Sequence, residues 1–347
     1  MKATFTILIL LFLILLAAVT KHVTVPSNSV VSCGMSEEKS LTLPSGVQLK
    51  KSVNYSKTIT LLPNISNQSQ KSNKLIGSIA PQDMVLIPGG FTTIGDSNRP
   101  NESPSFLIEV KPFFMDVHPV TVAQFRLFVK ATGYVTDAEK FGNSAFIDSS
   151  SANKWILKEG ANWMYPQGKD YPPAKDNHPV TQVSWNDAQA YCKWSGKRLP
   201  NEFEFEYAAK SGRDTKDIYP WGNDFVVNGR YKANVWQGTF PYYNEVKDGF
   251  KFTSPVGYFG KNALGLCDMV GNVWEWCSND KFSYNVLLVA ASQKTFIEPK
   301  ANEKAMRGGS FLCEPSWCHG YRVTARAGSS PETALMHVGF RCVKDIN

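Results

Sequence analysis

Helical periodicity is confined to three short stretches of this chain, and that confinement limits the fold more than any other feature. "SWNDAQAYCKWSGKRLP" offers Ser184 as an N-cap with Asp187 three residues on, Gly196 as a stop and Pro200 beyond. Ala188, Tyr191, Cys192 and Ser195 share one face of that helix, so Cys192 is expected to point into the core. "NEFEFEYAAKSG" repeats the pattern with Asn201 as N-cap, Glu204 at N3 and Gly212 past the end. "TVAQFRLFVKATG" carries an apolar stripe of Val122, Phe125, Phe128 and Val129. The remainder is rich in Gly, Pro and aromatic residues and reads as short strands and structured loops. The expected fold class is therefore α+β, a single loop-rich domain with little regular secondary structure, and not a bundle. "MVLIPGGFTTIGD" (84–96) reads as two strands around a Pro-Gly-Gly turn, as in a hairpin.

Composition divides the chain. Residues 1–20 hold one lysine and then an apolar run from Phe5 to Val19, about 15 residues against the ~20 of a full span. That suits a signal-peptide core or an N-terminal anchor, and "LAAVT" offers small residues for cleavage. Residues 21–80 are rich in Ser, Asn, Lys and Thr and read as a flexible linker. Residues 81–347 form the expected domain. An exported chain faces the periplasm, or the secretory lumen in a eukaryote, with membrane contact only through the N-terminal segment. Asn54, Asn64, Asn67 and Asn101 begin N-x-S triplets, which matter where the host glycosylates. The net charge of +7 is spread out, with no basic run interleaved with aromatics, so nucleic acid is not an expected partner.

The five histidines (22, 118, 178, 319 and 337) form neither an H-x-x-x-H nor an H-E-x-x-H pair, and no G-x-S-x-G elbow or P-loop is present. Chemistry then falls to the seven cysteines, at 33, 192, 267, 277, 313, 318 and 342. An exported chain uses cysteine in an oxidising compartment, and an odd count leaves at least one thiol unpaired or paired between chains. Cys33 is a candidate for the latter. In "GGSFLCEPSWCHGYRVTAR" Cys313 and Cys318 lie five positions apart. Such a pair is a small disulfide staple, a redox dithiol or a soft-metal site, and soft ligands select Cu(I). Spacing alone leaves these readings open.

Larger stretches carry a resemblance. "MVLIPGGFTTIGD", "FFMDVHPVTVAQFRLFVKATGYVTDAEKFG", "HPVTQVSWNDAQAYCKWSGKRLPNEFEFEYAA", "YPWGN", "ANVWQGTFP", "DGFKFTSPVGYFGKNALGLCDMVGNVWEWCSND", "RGGSFLCEPSWC" and "VGFRC" resemble the formylglycine-generating enzyme (sulfatase-modifying factor) family, in its bacterial type, over residues 84–344. "GNVWEW" and "GKRLPNEFEFEYAA" speak for a fold related to the C-type-lectin-like fold. The cysteine pair after "RGGSF" is what inactive relatives generally lack. The resemblance implies an oxidase that uses O2 to convert a cysteine in a C-x-P-x-R-like motif of sulfatases into formylglycine. It implies Cu(I) on Cys313 and Cys318, with Ser310 as a pocket hydroxyl and Trp274 as a wall. It implies two structural calcium sites, one at Asn234, Val235, Asp248 and Phe250, the other at Asp268, Gly271, Val273 and Glu275. It also implies a disulfide between Cys192 and Cys342. Ala209 and Val323 stand where some relatives have a second one. Cys267 and Cys277 flank the second calcium segment, and a mutual disulfide is one reading of them. Asp268 stands where asparagine is expected. Between the active cysteines, Glu314 and Trp317 replace a histidine and a tyrosine; a carboxylate there is expected to raise the pKa of a neighbouring thiol. A non-catalytic binding module on the same fold and a dithiol oxidoreductase are the alternatives.

Overall fold

Side-chain caps decide where the helices begin. The computed structural model describes residues 82–148, 154–292 and 302–346. Its helices are α1 (Val122–Thr132), α2 (Asp137–Phe141), α3 (Trp185–Trp194), α4 (Glu202–Ala209) and α5 (Tyr284–Ser292). Thr121, Thr136, Ser184 and Asn201 each close a capping box at the N-termini of α1 to α4. Each such cap contributes about 1 kcal/mol, which matters for helices of three turns or fewer. Gly133 ends α1 in the left-handed region at φ 67°. Val122, Phe125 and Phe128 are buried on α1, as are Ala188, Tyr191 and Cys192 on α3. The two helices meet through rings: Phe125 stacks on Tyr191 at 6.0 Å, and Phe340 stands edge-on to Tyr191 at 5.3 Å.

The strands are β1 (Met84–Ile87), β2 (Gly90–Ile94), β3 (Phe106–Val110), β4 (Phe113–Asp116), β5 (Asn143–Asp148), β6 (Lys154–Glu159), β7 (Val226–Val227), β8 (Arg230–Tyr231), β9 (Gly238–Thr239), β10 (Tyr243–Asn244), β11 (Trp274–Asp280), β12 (Lys304–Arg307), β13 (Arg326–Ser329), β14 (Val338–Gly339) and β15 (Val343–Asp345). They form a sheet in the order β1-β4-β15, another in the order β13-β12-β11-β14, and four two-stranded pairs. The architecture is α+β and loop-rich, as the scarcity of helical pattern implies.

One local expectation fails. β1 and β2 are both strands, but they do not form a hairpin: β1 pairs with β4 and β2 with β3. The backbone between them instead runs close against other parts of the fold. A Cβ on Gly89 would lie 2.8 Å from the Pro112 ring, and one on Gly90 would lie 2.6 Å from the Tyr207 hydroxyl. The glycines let the chain pass from one sheet to the other.

Buried charge ties α4 to the larger sheet. Arg326 Nη2 donates to Glu202 Oε1 at 2.7 Å, Arg307 pairs with Glu206, and Lys210 Nζ reaches Glu206 at 2.7 Å. All five side chains are almost wholly buried. Removing one member of such a group is costly, about 3–5 kcal/mol, because it leaves its partner unpaired. The network holds β12 in place, and β12 leads directly into residues 308–313. Among the described residues no helix is long and apolar enough to cross a membrane. The expected N-terminal segment (1–20), the linker (21–80) and Cys33 lie outside the described residues.

Candidate active site

β12 ends at Arg307, and "GGSFLC" turns away from the sheet. Gly309 adopts φ 73°, and a Cβ there would lie 2.5 Å from the Gly320 carbonyl carbon and from Tyr321 N. Two backbone segments, 308–310 and 319–321, therefore cross in contact, which a side chain would prevent. The crossing brings the two ends of the cysteine segment together. Cys313 N donates to Ser310 O at 2.9 Å, closing a turn that returns the Cys313 thiol to Ser310. Ser310 N–H points at Cys313 Sγ (3.4 Å), with Ser310 Oγ at 3.9 Å. Cys313 and Ser310 are fully buried, and Cys318 is half-buried.

Trp274 arrives from β11, whose backbone is held by Trp274 N–H donating to His337 O at 2.9 Å. Its indole is buried. A methyl on Gly320 would lie 2.5 Å from Trp274 Cζ2 and 2.9 Å from Cys313 Sγ. Ring and thiol thus converge on one bare backbone position. Of the four residues given catalytic roles by the resemblance, Ser310, Trp274 and Cys313 come together here. Cys318 closes the far end of the loop, its N–H donating to Glu314 O at 3.0 Å.

Other groups surround the thiols that spacing did not reveal. Tyr219 and Tyr321 stack at 5.9 Å with planes 14° apart, and His319 Nε2 shares a hydrogen bond with the Tyr219 hydroxyl at 3.0 Å. Burial, reinforced by Arg322, pushes His319 down to about 4, so it is neutral. Burial alone pushes His337 down to about 4, while the Cys313 sulfur acts in the opposite direction. His337 Nδ1 is buried without a hydrogen-bond partner, and its ring lies 5.0 Å from that of Trp155. On the outer side Trp236 N–H donates to Cys313 O at 3.1 Å, Trp236 packs edge-on against Phe240 at 5.2 Å, and Phe240 lies 5.8 Å from the half-exposed Trp317. These residues come from five separate segments. Only their three-dimensional arrangement identifies them.

The donor set suits a soft monovalent metal. It offers two sulfurs, one deeply buried, with a backbone N–H directed at the buried sulfur to favour its thiolate form. The aromatic surround offers few competing hard ligands.

The two calcium groups differ. In the first, Asp248 Oδ2 accepts from Val235 N (2.9 Å) and Gln237 Nε2 (2.6 Å), and Phe250 N donates to Asp248 Oδ1 (2.9 Å). Asn234 Oδ1 is buried with no donor, so an oxygen remains for a hard cation and the group fits calcium. In the second, both oxygens of Glu275 accept from Arg341 at 2.7 Å. Asp268 Oδ2 accepts from Gly257 N at 2.7 Å, and Arg341 also reaches the Asp268 carbonyl at 3.1 Å. Gly271, at φ 74°, packs against the Asn234 backbone, and Val273 is buried between the group's two carboxylates in sequence. The Arg341 guanidinium supplies a positive charge there, and the residues show no orphaned oxygen of the kind found at Asn234. Burial raises the pKa of Asp248, Asp268 and Glu275 alike.

Cys192 on α3 and Cys342 face each other as buried thiols, Sγ to Sγ 3.1 Å. The mutual disulfide considered for Cys267 and Cys277 is not formed. Both are buried thiols in different surroundings: Cys277 belongs to the main core cluster on β11, whereas Cys267 packs against Gly257.

Comparison with known proteins places these features in a family. Residues 72–346 match a sulfatase-modifying factor enzyme 1-like domain. The chain is 41% identical over 285 residues to the formylglycine-generating enzyme of Thermomonospora curvata, spanning 76% of this chain and 93% of that protein. It is 38% identical over 288 residues to the inactive C-alpha-formylglycine-generating enzyme 2 of Bos taurus, spanning 77% of this chain and 89% of that one. PvdO from Pseudomonas aeruginosa has a similar structure, with a TM-score of 0.57 at 26% identity over 76% of this chain and 94% of its own. By sequence and by fold, the chain belongs to the formylglycine-generating enzyme, or sulfatase-modifying factor, family.

Proposed function

We propose that this chain is an exported, O2-dependent oxidase that converts a cysteine within a C-x-P-x-R-like motif of sulfatases to formylglycine. The observation that carries this reading is the convergence of the Cys313 thiol, Ser310 and the Trp274 ring on Gly320, with Cys318 on the same loop. Cys313 and Cys318 hold Cu(I), Ser310 presents its hydroxyl beside the reacting sulfur, and Trp274 walls the pocket. Copper, when bound, supplies the one-electron chemistry with O2 that no side chain provides. The electron count also requires a third reactant. Turning a cysteine CH2–SH and a water into an aldehyde and hydrogen sulfide releases two electrons, and reducing O2 to two waters takes four. Two external thiol groups provide the other two, one electron each, and leave joined as a disulfide. Calcium at Asn234, Val235, Asp248 and Phe250 stiffens the loop that carries Trp236. The second group, Asp268, Gly271, Val273 and Glu275, holds calcium more weakly, because Arg341 already neutralises Glu275.

The test is direct. Reduced, copper-loaded protein is incubated with a C-x-P-x-R peptide, O2 and a thiol, and the peptide is examined by mass spectrometry for the aldehyde. Cys313→Ser and Cys318→Ser are each expected to abolish Cu(I) binding and product. A wild-type protein that binds no copper and leaves the peptide unchanged would instead be a binding module. Turnover with thiols in the absence of copper would make it a dithiol oxidoreductase.

A further inference from the structure

We infer that Glu314 is a positioning residue: its carboxylate folds the loop between the two cysteines and thereby sets Cys318 and Trp317 relative to the buried Cys313. The inference rests on the proposed role of the cysteine pair. Its evidence is the bonding of "EPSW". Glu314 Oε2 accepts three hydrogen bonds, from Ser316 N at 3.0 Å, Ser316 Oγ at 2.6 Å and Trp317 N at 3.1 Å. Its backbone carbonyl accepts three more, from Trp317 N at 3.2 Å and from Cys318 N and His319 N at 3.0 Å each. Pro315 occupies the turn position its fixed φ suits. One residue therefore organises the whole segment from 314 to 319.

Cys313 is secured from the protein side by Ser310 O and Trp236 N, and His319 by Tyr219. Pro315 and Ser316 are exposed, and Trp317 rests with one side against Phe240. Between these ends the Glu314 carboxylate ties Ser316 and Trp317 to the turn that its own carbonyl closes, and so braces the path that leads to Cys318. This also accounts for a negative charge beside a thiol pair. A carboxylate facing the sulfurs would disfavour the thiolates they need. Here its Oε2 is directed at the N–H and O–H groups of the loop itself. The same bonds to Trp317 N set the indole against Phe240.

The experiment uses the full chain, reduced, as wild type, Glu314→Ala and Glu314→Gln, with Cys313→Ser as background. Glutamine keeps an acceptor oxygen and loses only the charge. Two probes report where the sulfurs lie. The first is Cu(I) affinity in competition with a chromophoric chelator. The second is the rate of capture by phenylarsine oxide, which exchanges its As–O linkage for two As–S bonds with loss of water and so requires both thiols together. Glu314→Ala is expected to bind Cu(I) about five- to tenfold more weakly, the loss of one strong cap, and to slow arsenical capture. Glu314→Gln is expected to restore both to within about twofold, with the midpoints of both Glu314 variants within about 4 °C of the wild type. Alanine matching the wild type in both probes overturns the inference. Glutamine as impaired as alanine also overturns it, because charge and not the cap would then be responsible. If the wild type binds no Cu(I) but arsenical capture still falls in Glu314→Ala, the copper oxidase reading fails and the positioning role stands.

Discussion

Gly320 is where the candidate site closes, because it lets backbone, indole and thiol share a space that a single methyl would fill. Its φ is ordinary, so the requirement is steric and not conformational. Gly320→Ala would press on Cys313 Sγ at 2.9 Å and on Trp274 at 2.5 Å, and both are held by buried neighbours. Overpacking of this kind costs about 1–3 kcal/mol, which a domain of this size survives. The expected outcome is a folded variant with aldehyde formation reduced at least about tenfold, since small displacements of reacting groups have large effects on rate. Peptide turnover measured beside a urea denaturation curve checks it; full activity in a folded Gly320→Ala would mean that the crossing is scaffold only. The cysteine pair could be read from the chain because its members are close in sequence and rare in type. Gly320 stands next to that pair, but nothing in its composition distinguishes it from the many turn glycines. His337 and Tyr219 reach the site from distant segments and carry no spacing signal. The resemblance to a known family, not local pattern, singled out Ser310 and Trp274.

Elements were legible where a local rule governs them. The four capping boxes rest on side chains three residues apart, and three of the four helices they start were evident from their caps and apolar faces. The short α2 is too brief to show an apolar face, although Thr136 and Glu139 form the same box. β1 and β2 are legible as strands but their partners are not, because pairing depends on what lies across the fold. The partners that β1 and β2 take, β4 and β3, and the Pro112 and Tyr207 groups that the turn packs against, are not its sequence neighbours. The loop between Asn234 and Phe250 poses the same problem for a metal. Its oxygens look like turn residues until Asn234 Oδ1 is found buried and unpaired beside the Asp248 system. An ion that binds the folded chain alone stabilises it by about 2.7 kcal/mol at a hundredfold excess over its dissociation constant. Calcium is therefore expected to raise the unfolding midpoint of the wild type, and a chelator to lower it again, with both effects absent in Asp248→Asn. Calorimetric scans with calcium or chelator test this. An equal response in Asp248→Asn would place the ion elsewhere.

At the scale of the whole molecule, stability should depend on buried histidines. His178 and His337 are each held down at about 4, by burial first and, for His178, by Lys175 as well. In the unfolded chain a histidine titrates near ~6.5. Between these values the unfolded state takes up a proton that the folded state refuses, so their contribution is intact above about pH 6.5 and declines as pH falls toward 4. Asp187, Asp248, Asp268 and Glu275 are raised by burial. Their protonation favours the folded state as pH falls, which partly offsets the histidines and makes a single wild-type curve ambiguous. His337→Asn separates the two. It removes the titrating ring from a site that is 2% exposed, and an amide has no proton to gain. The wild type is expected to lose about 2 kcal/mol more than His337→Asn between pH 7.5 and pH 5. Urea denaturation of both proteins at the two pH values measures that difference directly. Parallel losses would mean that the His337 ring is already protonated within the fold, which its buried and unpaired Nδ1 argues against. Nothing in "MHVGFRC" announces this behaviour. It arises because the segment leading into β14 places the histidine beside Trp274, whose N–H its carbonyl accepts, where charge has no water to meet.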